Sequence, residues 1–154
     1  MGKALKIILW VFLVLVILIQ LIPFQLPETI ESNSDDLIRT GDVPENISKI
    51  ILTSCYNCHS NETKYPWYSY IAPVKWLVAK DTRQGREDLN FSNWKSLKAK
   101  DKIKILQEIS EEVEADAMPL PIYTLIHSKA KLDKEKKDEL IAWTEEMTNL
   151  IFGD

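Results

Sequence analysis

Five consecutive residues, Cys55-Tyr56-Asn57-Cys58-His59, constrain this chain more than any others. Two thiols separated by two residues on a turn of helix can add to the two vinyl groups of one porphyrin, and the adjoining imidazole then reaches the iron. This is the attachment pattern of c-type haem. The alternatives fit less well. A closed tetrahedral zinc site needs four ligands, yet the chain has no further Cys and only one other His, His127, so a carboxylate would have to complete it. A thioredoxin-like redox pair belongs at a strand-to-helix turn, whereas the residues before Cys55 read as helix. A plain disulfide between Cys55 and Cys58 would close too small a loop to contribute much. The expectation is one covalent haem c per chain, tethered by Cys55 and Cys58 and ligated by His59.

Residues 1–23 differ in kind. Lys3 and Lys6 precede an unbroken apolar run from Ile7 to Ile19, followed by Gln20, Leu21, Ile22 and Pro23. Positive residues ahead of an apolar core hold that end in the cytoplasm and send the downstream chain across the membrane. Residues 15–30 contain no Ala, Gly or Ser from which a cleavage site is built, so an uncleaved signal anchor is favoured over a removed signal peptide. The span falls a little short of the roughly 20 residues of a crossing helix, which snorkelling by Lys6 and an interfacial Trp10 partly relieve. The expected location is the bacterial cytoplasmic membrane, crossed once, with the haem domain on the periplasmic, extracytoplasmic side, where covalent haem is added.

The chain carries 19 Lys and Arg against 23 Asp and Glu; two of the lysines and none of the acids lie in the first 23 residues, which leaves the remainder at a formal charge of −6. Such an acidic surface disfavours nucleic acid and favours redox partner proteins with a basic face. Besides those, the cytoplasmic membrane is the expected partner.

Residues 24–41, broken by Pro27, Ser32, Asn33, Ser34 and Gly41, read as a polar linker that lifts the domain off the membrane. The folded unit is expected over 42–154. Pro44 suits the first turn of a helix whose stripe of Ile47, Ile50 and Ile51 leads into Cys55. The aromatic run from Tyr65 to Val78 supplies Trp67, Tyr68 and Trp76 as candidate walls for an apolar plate such as haem. Residues 81–90 read as a polar stretch from which Arg83 or Arg86 can pair with a haem propionate or simply face solvent. Ser92 is a candidate N-cap for a short helix carrying Trp94. Ile103, Leu106, Ile109 and Val113 mark a longer helix over 101–114 with a solvated acidic end, the chain breaks at Met118-Pro119-Leu120-Pro121, and Asp133 can cap a last helix. No strand pattern or repeat appears, so the fold class is all-α.

His59 leaves one axial position on the iron. Met118, in a proline-fixed loop far from His59 in sequence, is the first candidate, and His127 is the alternative sixth ligand. Met147 sits within the last helix, where packing explains it better.

The order of an apolar helix ending in Cys55-x-x-Cys58-His59, a Met118-Pro119 loop and a final helix with Trp143 resembles a monohaem class I cytochrome c. More closely, Cys58-His59-Ser60-Asn61-Glu62-Thr63, Trp67-Tyr68-Ser69, Ile71-Ala72-Pro73-Val74, Gly85-Arg86, Leu89-Asn90-Phe91-Ser92 and Met118-Pro119-Leu120-Pro121 are similar to the bacterial haem-binding domain family, over about residues 47–144. The resemblance implies an all-helical, cytochrome c-like fold around one haem, and suggests electron transfer.

Three function classes are open to such a chain. An anchored electron carrier would cycle Fe(III)/Fe(II) with His59 and Met118 bound throughout, and would be no enzyme. A haem enzyme or gas or redox sensor would keep the sixth position open or exchangeable, with His127 as its polar distal group. A metal-free thiol-redox domain, with Cys55 and Cys58 free, is a third.

Overall fold

Helix α2 (Glu45–Ser54) forms because Ile47, Ile50 and Ile51 recur at one face and all three are buried. Each such side chain removed from water contributes on the order of 1.5–3 kcal/mol. Pro44, with φ −54°, stands at the N-cap. In this computed structural model, which describes residues 2–31 and 34–153, six further α-helices are present: α1 (Lys3–Gln20), α3 (Tyr56–His59), α4 (Val74–Asp88), α5 (Ala99–Glu114), α6 (Pro121–Ile126) and α7 (Lys134–Gly153). Short 3-10 turns lie at Leu37–Thr40, Trp67–Tyr70, Phe91–Ser96 and Ser128–Ala130, and no strand occurs among the described residues. The all-helical expectation holds.

Helix α5 packs chiefly on α7, α2 on α3 and α7, and α3 on α4. Leu106 and Val113 of α5 meet Leu140 and Trp143 of α7 in one core, which also takes the α2 isoleucines, Leu37, Tyr56, Phe91 and Trp94. Asp133 caps α7 as its position suggests, its Oδ1 accepting the Lys136 backbone N–H at 3.0 Å. Met147 packs against the core.

Three local expectations are corrected. The polar stretch at 81–90 is helical as far as Asp88, where it forms the second half of α4, with Thr82 and Gly85 buried. There Gly85 is a close-approach residue, packed against Cys58. Ser92 does not cap a helix; Asn90 does, accepting the Ser92 N–H at 3.0 Å, while the Ser92 hydroxyl turns inward to Asp36 at 3.1 Å. Past the Met118–Pro121 break the chain re-enters helix at once, with Pro121 in the first turn of α6, where its missing N–H costs nothing.

The linker expectation also changes. Ser32 and Asn33 lie outside the described residues, but the rest of 24–41 is laid along the domain instead of standing free. The carbonyls of Gln25, Pro27 and Glu28 accept hydrogen bonds from Arg83, the Tyr65 hydroxyl and Arg86, and Ile30 N–H donates to Asn61. Asp36 and Leu37 are fully buried. A proline-broken strand of backbone has polar groups that need partners, and the arginines of α4 supply them.

Helix α1 is long and apolar enough to cross a membrane, and none of its residues is buried. Its C-terminal end nevertheless touches the domain. The Gln20 side-chain amide donates to Ala72 O at 3.3 Å and accepts from Ala72 N at 2.8 Å, while Lys75 Nζ donates to Gln20 O and Ile22 O at 3.2 and 3.1 Å.

Candidate cofactor site

The helical run of α2 breaks at Cys55 (φ −120°, ψ −37°) and resumes for one turn as α3. The break divides the motif between two directions. Tyr56 points into the core, its hydroxyl donating to Asp36 Oδ2 at 2.6 Å and its ring stacked 6.4 Å from Phe91. Cys55, Cys58 and His59 line the opposite side. A Cβ on Gly85 would lie 3.0 Å from the Cys58 carbonyl oxygen, so α4 approaches α3 as closely as only glycine permits.

That approach sets the imidazole. His59 Nδ1 lies 2.8 Å from Gly85 O and 3.2 Å from Leu89 O. Both partners are acceptors only, so Nδ1 carries the proton and Nε2 keeps its lone pair, the arrangement a metal-ligating histidine requires. Burial pushes the His59 pKa down, against the upward pull of the two carbonyls, which keeps the ring neutral. Burial, with Cys58 as a lesser cause, pushes the Cys55 thiol up to about 12. The Cys58 thiol is pushed up to about 11 by burial, with Asp81 adding and Arg86 opposing.

Two cavities open from these residues. One of about 310 Å³ is lined by Cys55, Cys58, His59, Gln84, Met118 and Tyr123, among others. The other, of about 660 Å³, is lined by Ile51, Cys55, His59, Phe91, Met118 and Trp143 with neighbouring parts of α4 and α5. Cys55, His59, Gln84, Asp88 and Met118 border both, so the two are parts of one slot, in the size range of cofactor pockets. The Trp143 indole N–H is buried without a partner among the described residues. Buried donors are almost always satisfied. A porphyrin fits the apolar part of this lining, Ile51, Phe91, Ile105, Ile109 and Trp143, with two thiols at one edge, a bare imidazole nitrogen, a thioether and an indole donor suited to a carboxylate, while Glu87, Asp88, Glu108, Glu111 and Glu112 border the same slot.

Met118 reaches the slot because α5 ends in a tight reversal. Asp116 takes φ 57°, and the Ala117 and Met118 N–H groups both return to Glu112 O at 2.9 and 3.1 Å. The other sequence candidates are placed elsewhere. Trp67 is 75% exposed, and Trp76 is half-buried with Lys75 Nζ 5.5 Å from its ring, so neither walls the slot. Tyr68 and His127 border an adjoining hollow of about 60 Å³ that shares Cys58, Asp81, Leu120 and Tyr123 with the first cavity, with the Tyr68 hydroxyl 2.5 Å from His127 Nε2 and the His127 ring stacked 4.3 Å from Tyr123. His127 lines neither part of the slot, and its Nε2 is engaged with Tyr68. Arg86 is spent on Ser60 O, Glu28 O and Thr63 Oγ1, and pins the strap and the 60–63 loop instead of reaching the slot.

Sequence reasoning missed Gly85, Tyr123 and Trp143 as site residues. Trp143 carried a signal, three positions after Leu140 on the inward face of the last helix; Tyr123 carried none, since α6 is too short to show periodicity.

Comparison with known proteins bears on the same residues. One curated relative, the cytochrome c peroxidase Ccp of Escherichia coli (strain K12), is 28% identical over 92 residues, which is 58% of this chain but 20% of the relative. The chain thus spans about a fifth of that protein's length. No solved structure matches the chain significantly. The model of the haem-binding domain family matches residues 14–146, from within α1 to near the end of α7. With most of its length covered and its cysteines, His59 and Met118 gathered at one slot, the chain belongs to the haem-binding domain family.

Proposed function

We propose that this protein is a membrane-anchored monohaem c-type cytochrome that passes electrons outside the cytoplasmic membrane. In this reading the Cys55 and Cys58 sulfurs would hold the porphyrin covalently, and His59 Nε2 and Met118 Sδ would be the side-chain atoms offered to its iron. The single observation that carries it is the shared lining of one slot by Cys55, His59 and Met118, with His59 Nδ1 fixed by two carbonyls. Bound haem supplies a one-electron Fe(III)/Fe(II) couple. The chain's own residues hold the imidazole neutral, exclude water with Ile51, Phe91 and Trp143, and offer a thioether that favours the less charged, reduced iron. Helix α1 would keep the carrier at the membrane, and its acidic surface would steer basic-faced partners.

The test is a visible spectrum of the detergent-solubilised full-length protein with a mass measurement after denaturation. A mass increase of one haem and a low-spin spectrum unchanged by CO are expected; a chain without added mass or colour overturns the reading.

The name of the relative favours one second reading, a haem enzyme acting on peroxide, in which the thioether leaves the iron. Rapid CO binding by the reduced protein, with peroxide consumption, would select it.

A further inference from the structure

Between Pro66 and Lys80 the only charged side chain is Lys75, and it is 2% exposed, turned inward to Gln20 O and Ile22 O at the end of α1. Around it the surface is apolar: Trp67 is 75% exposed, Tyr70 58%, Ile71 44% and Leu77 40%. Helix α6 adds Leu125 at 83% and Ile126 at 62%, and it is joined to this face by the bond between Tyr68 and His127 at its end. Single exposed apolar residues are ordinary, but a contiguous uncharged face of this kind marks a binding surface.

Its position says what covers it. Ala72, in the middle of the face, is hydrogen-bonded at both its N–H and its C=O to the Gln20 side chain, at the C-terminal end of α1. If α1 crosses a bilayer, Gln20 lies at the outer boundary, and residues bonded to it lie at the same depth. Trp and Tyr are the residues that favour that boundary. The rim agrees in charge. Lys64, Lys80, Lys129 and Lys131 are exposed around the face, and residues 117–132 contain no acid at all, in a chain that is acidic overall. Lysines at a membrane surface are attracted by anionic headgroups.

We propose that the domain lies against the outer leaflet, with the Trp67–Leu77 face and α6 in the headgroup and upper acyl region. The proposal rests on the anchor reading of α1. Tyr123 of the same helix and Leu120 just before it border the cofactor slot, so α6 is the wall between the slot and the lipid.

The test uses the full-length protein carrying haem, reconstituted in vesicles of phosphatidylethanolamine and phosphatidylglycerol. Nitroxide labels are placed singly at Leu125→Cys, Leu77→Cys, Leu13→Cys in α1 and Lys98→Cys as the aqueous reference, and their relaxation by oxygen and by a water-soluble nickel chelate is compared. Labels at 125 and 77 should show an oxygen-to-nickel ratio several-fold above that at 98, approaching that at 13. A high ratio at 13 with water-like values at both 125 and 77 overturns the proposal and leaves the anchor intact. Low accessibility to both reagents at 125 and 77 also overturns it, in favour of a protein partner. A water-like label at 13 refutes the anchor itself, and the proposal with it.

Discussion

His59 Nδ1 stands 2.8 Å from the carbonyl oxygen of Gly85, a residue of a different helix. The orientation of the imidazole therefore depends on how closely α4 lies against α3, and that closeness depends on a missing side chain.

Gly85→Ala is expected to destabilise the protein. Alanine gains up to about 1 kcal/mol of helix propensity, but its Cβ would press on backbone at 3.0 Å, and overpacking costs about 1–3 kcal/mol. The Cys58 carbonyl belongs to the short helix α3 and has little room to yield, so the packing cost should win. A lower thermal midpoint, with a shifted reduction potential, would be the signature; an unchanged potential would show that the two helices can part without turning the imidazole.

Met118→Ala should lower the reduction potential and let the reduced protein bind CO, because removing the thioether opens the position on iron. His127→Ala should do neither, since its Nε2 is occupied by Tyr68. Redox titration and CO difference spectra of both variants check this. The reverse pattern would move the sixth ligand to His127.

Asp36 is fully buried and serves three donors: Ile38 N–H at 2.9 Å, the Tyr56 hydroxyl at 2.6 Å and the Ser92 hydroxyl at 3.1 Å. Tyr56→Phe should cost about 1–3 kcal/mol, the value of one buried hydrogen bond to a carboxyl group. Asp36→Ala should cost more than Tyr56→Phe, because it strands several donors at once. Denaturant titration measures both; equal costs would mean that Ser92 and Ile38 find other partners.

The pH dependence of stability follows from His59. Burial lowers its pKa in the folded protein, while in the unfolded chain it protonates near pH ~6.5. Its contribution is present above that pH and is lost as pH falls below it, because the unfolded state then binds the proton more readily. Haem-free protein should therefore lose more stability between about pH 7.5 and about pH 5.5 than the His59→Asn variant does. Parallel melting curves test this.

Much of the architecture was legible because it rests on periodicity and on capping. The Ile47, Ile50 and Ile51 stripe, the inward face of α5 and the Asp133 cap all follow from local rules, and the close spacing of Cys55, Cys58 and His59 places them on one cavity. Residues 81–88 were not legible, since Thr82 and Gly85 face a partner helix through small size rather than through apolar character. Trp67 and Trp76 looked like cofactor walls because aromatic residues serve either purpose, yet neither lines the slot, and Ala72 between them is bonded to Gln20 at the end of α1. Arg86 illustrates the same limit. Its charge suggested a propionate, yet backbone carbonyls of the 24–31 strap and of Ser60 claim it first.

Tyr56 sits between the two cysteines and is gripped from behind by Phe91 and Asp36, which Ser92 joins. Two of these three, like Gly85 and Leu89, come later in the chain than the motif. A polypeptide emerging outward behind an anchored amino-terminal helix would display both sulfurs before the residues that enclose them have emerged. Assembly of the pocket would then wait on the arrival of α4 and the turn after it, leaving an interval in which the thiols are open to chemistry that the finished fold obstructs.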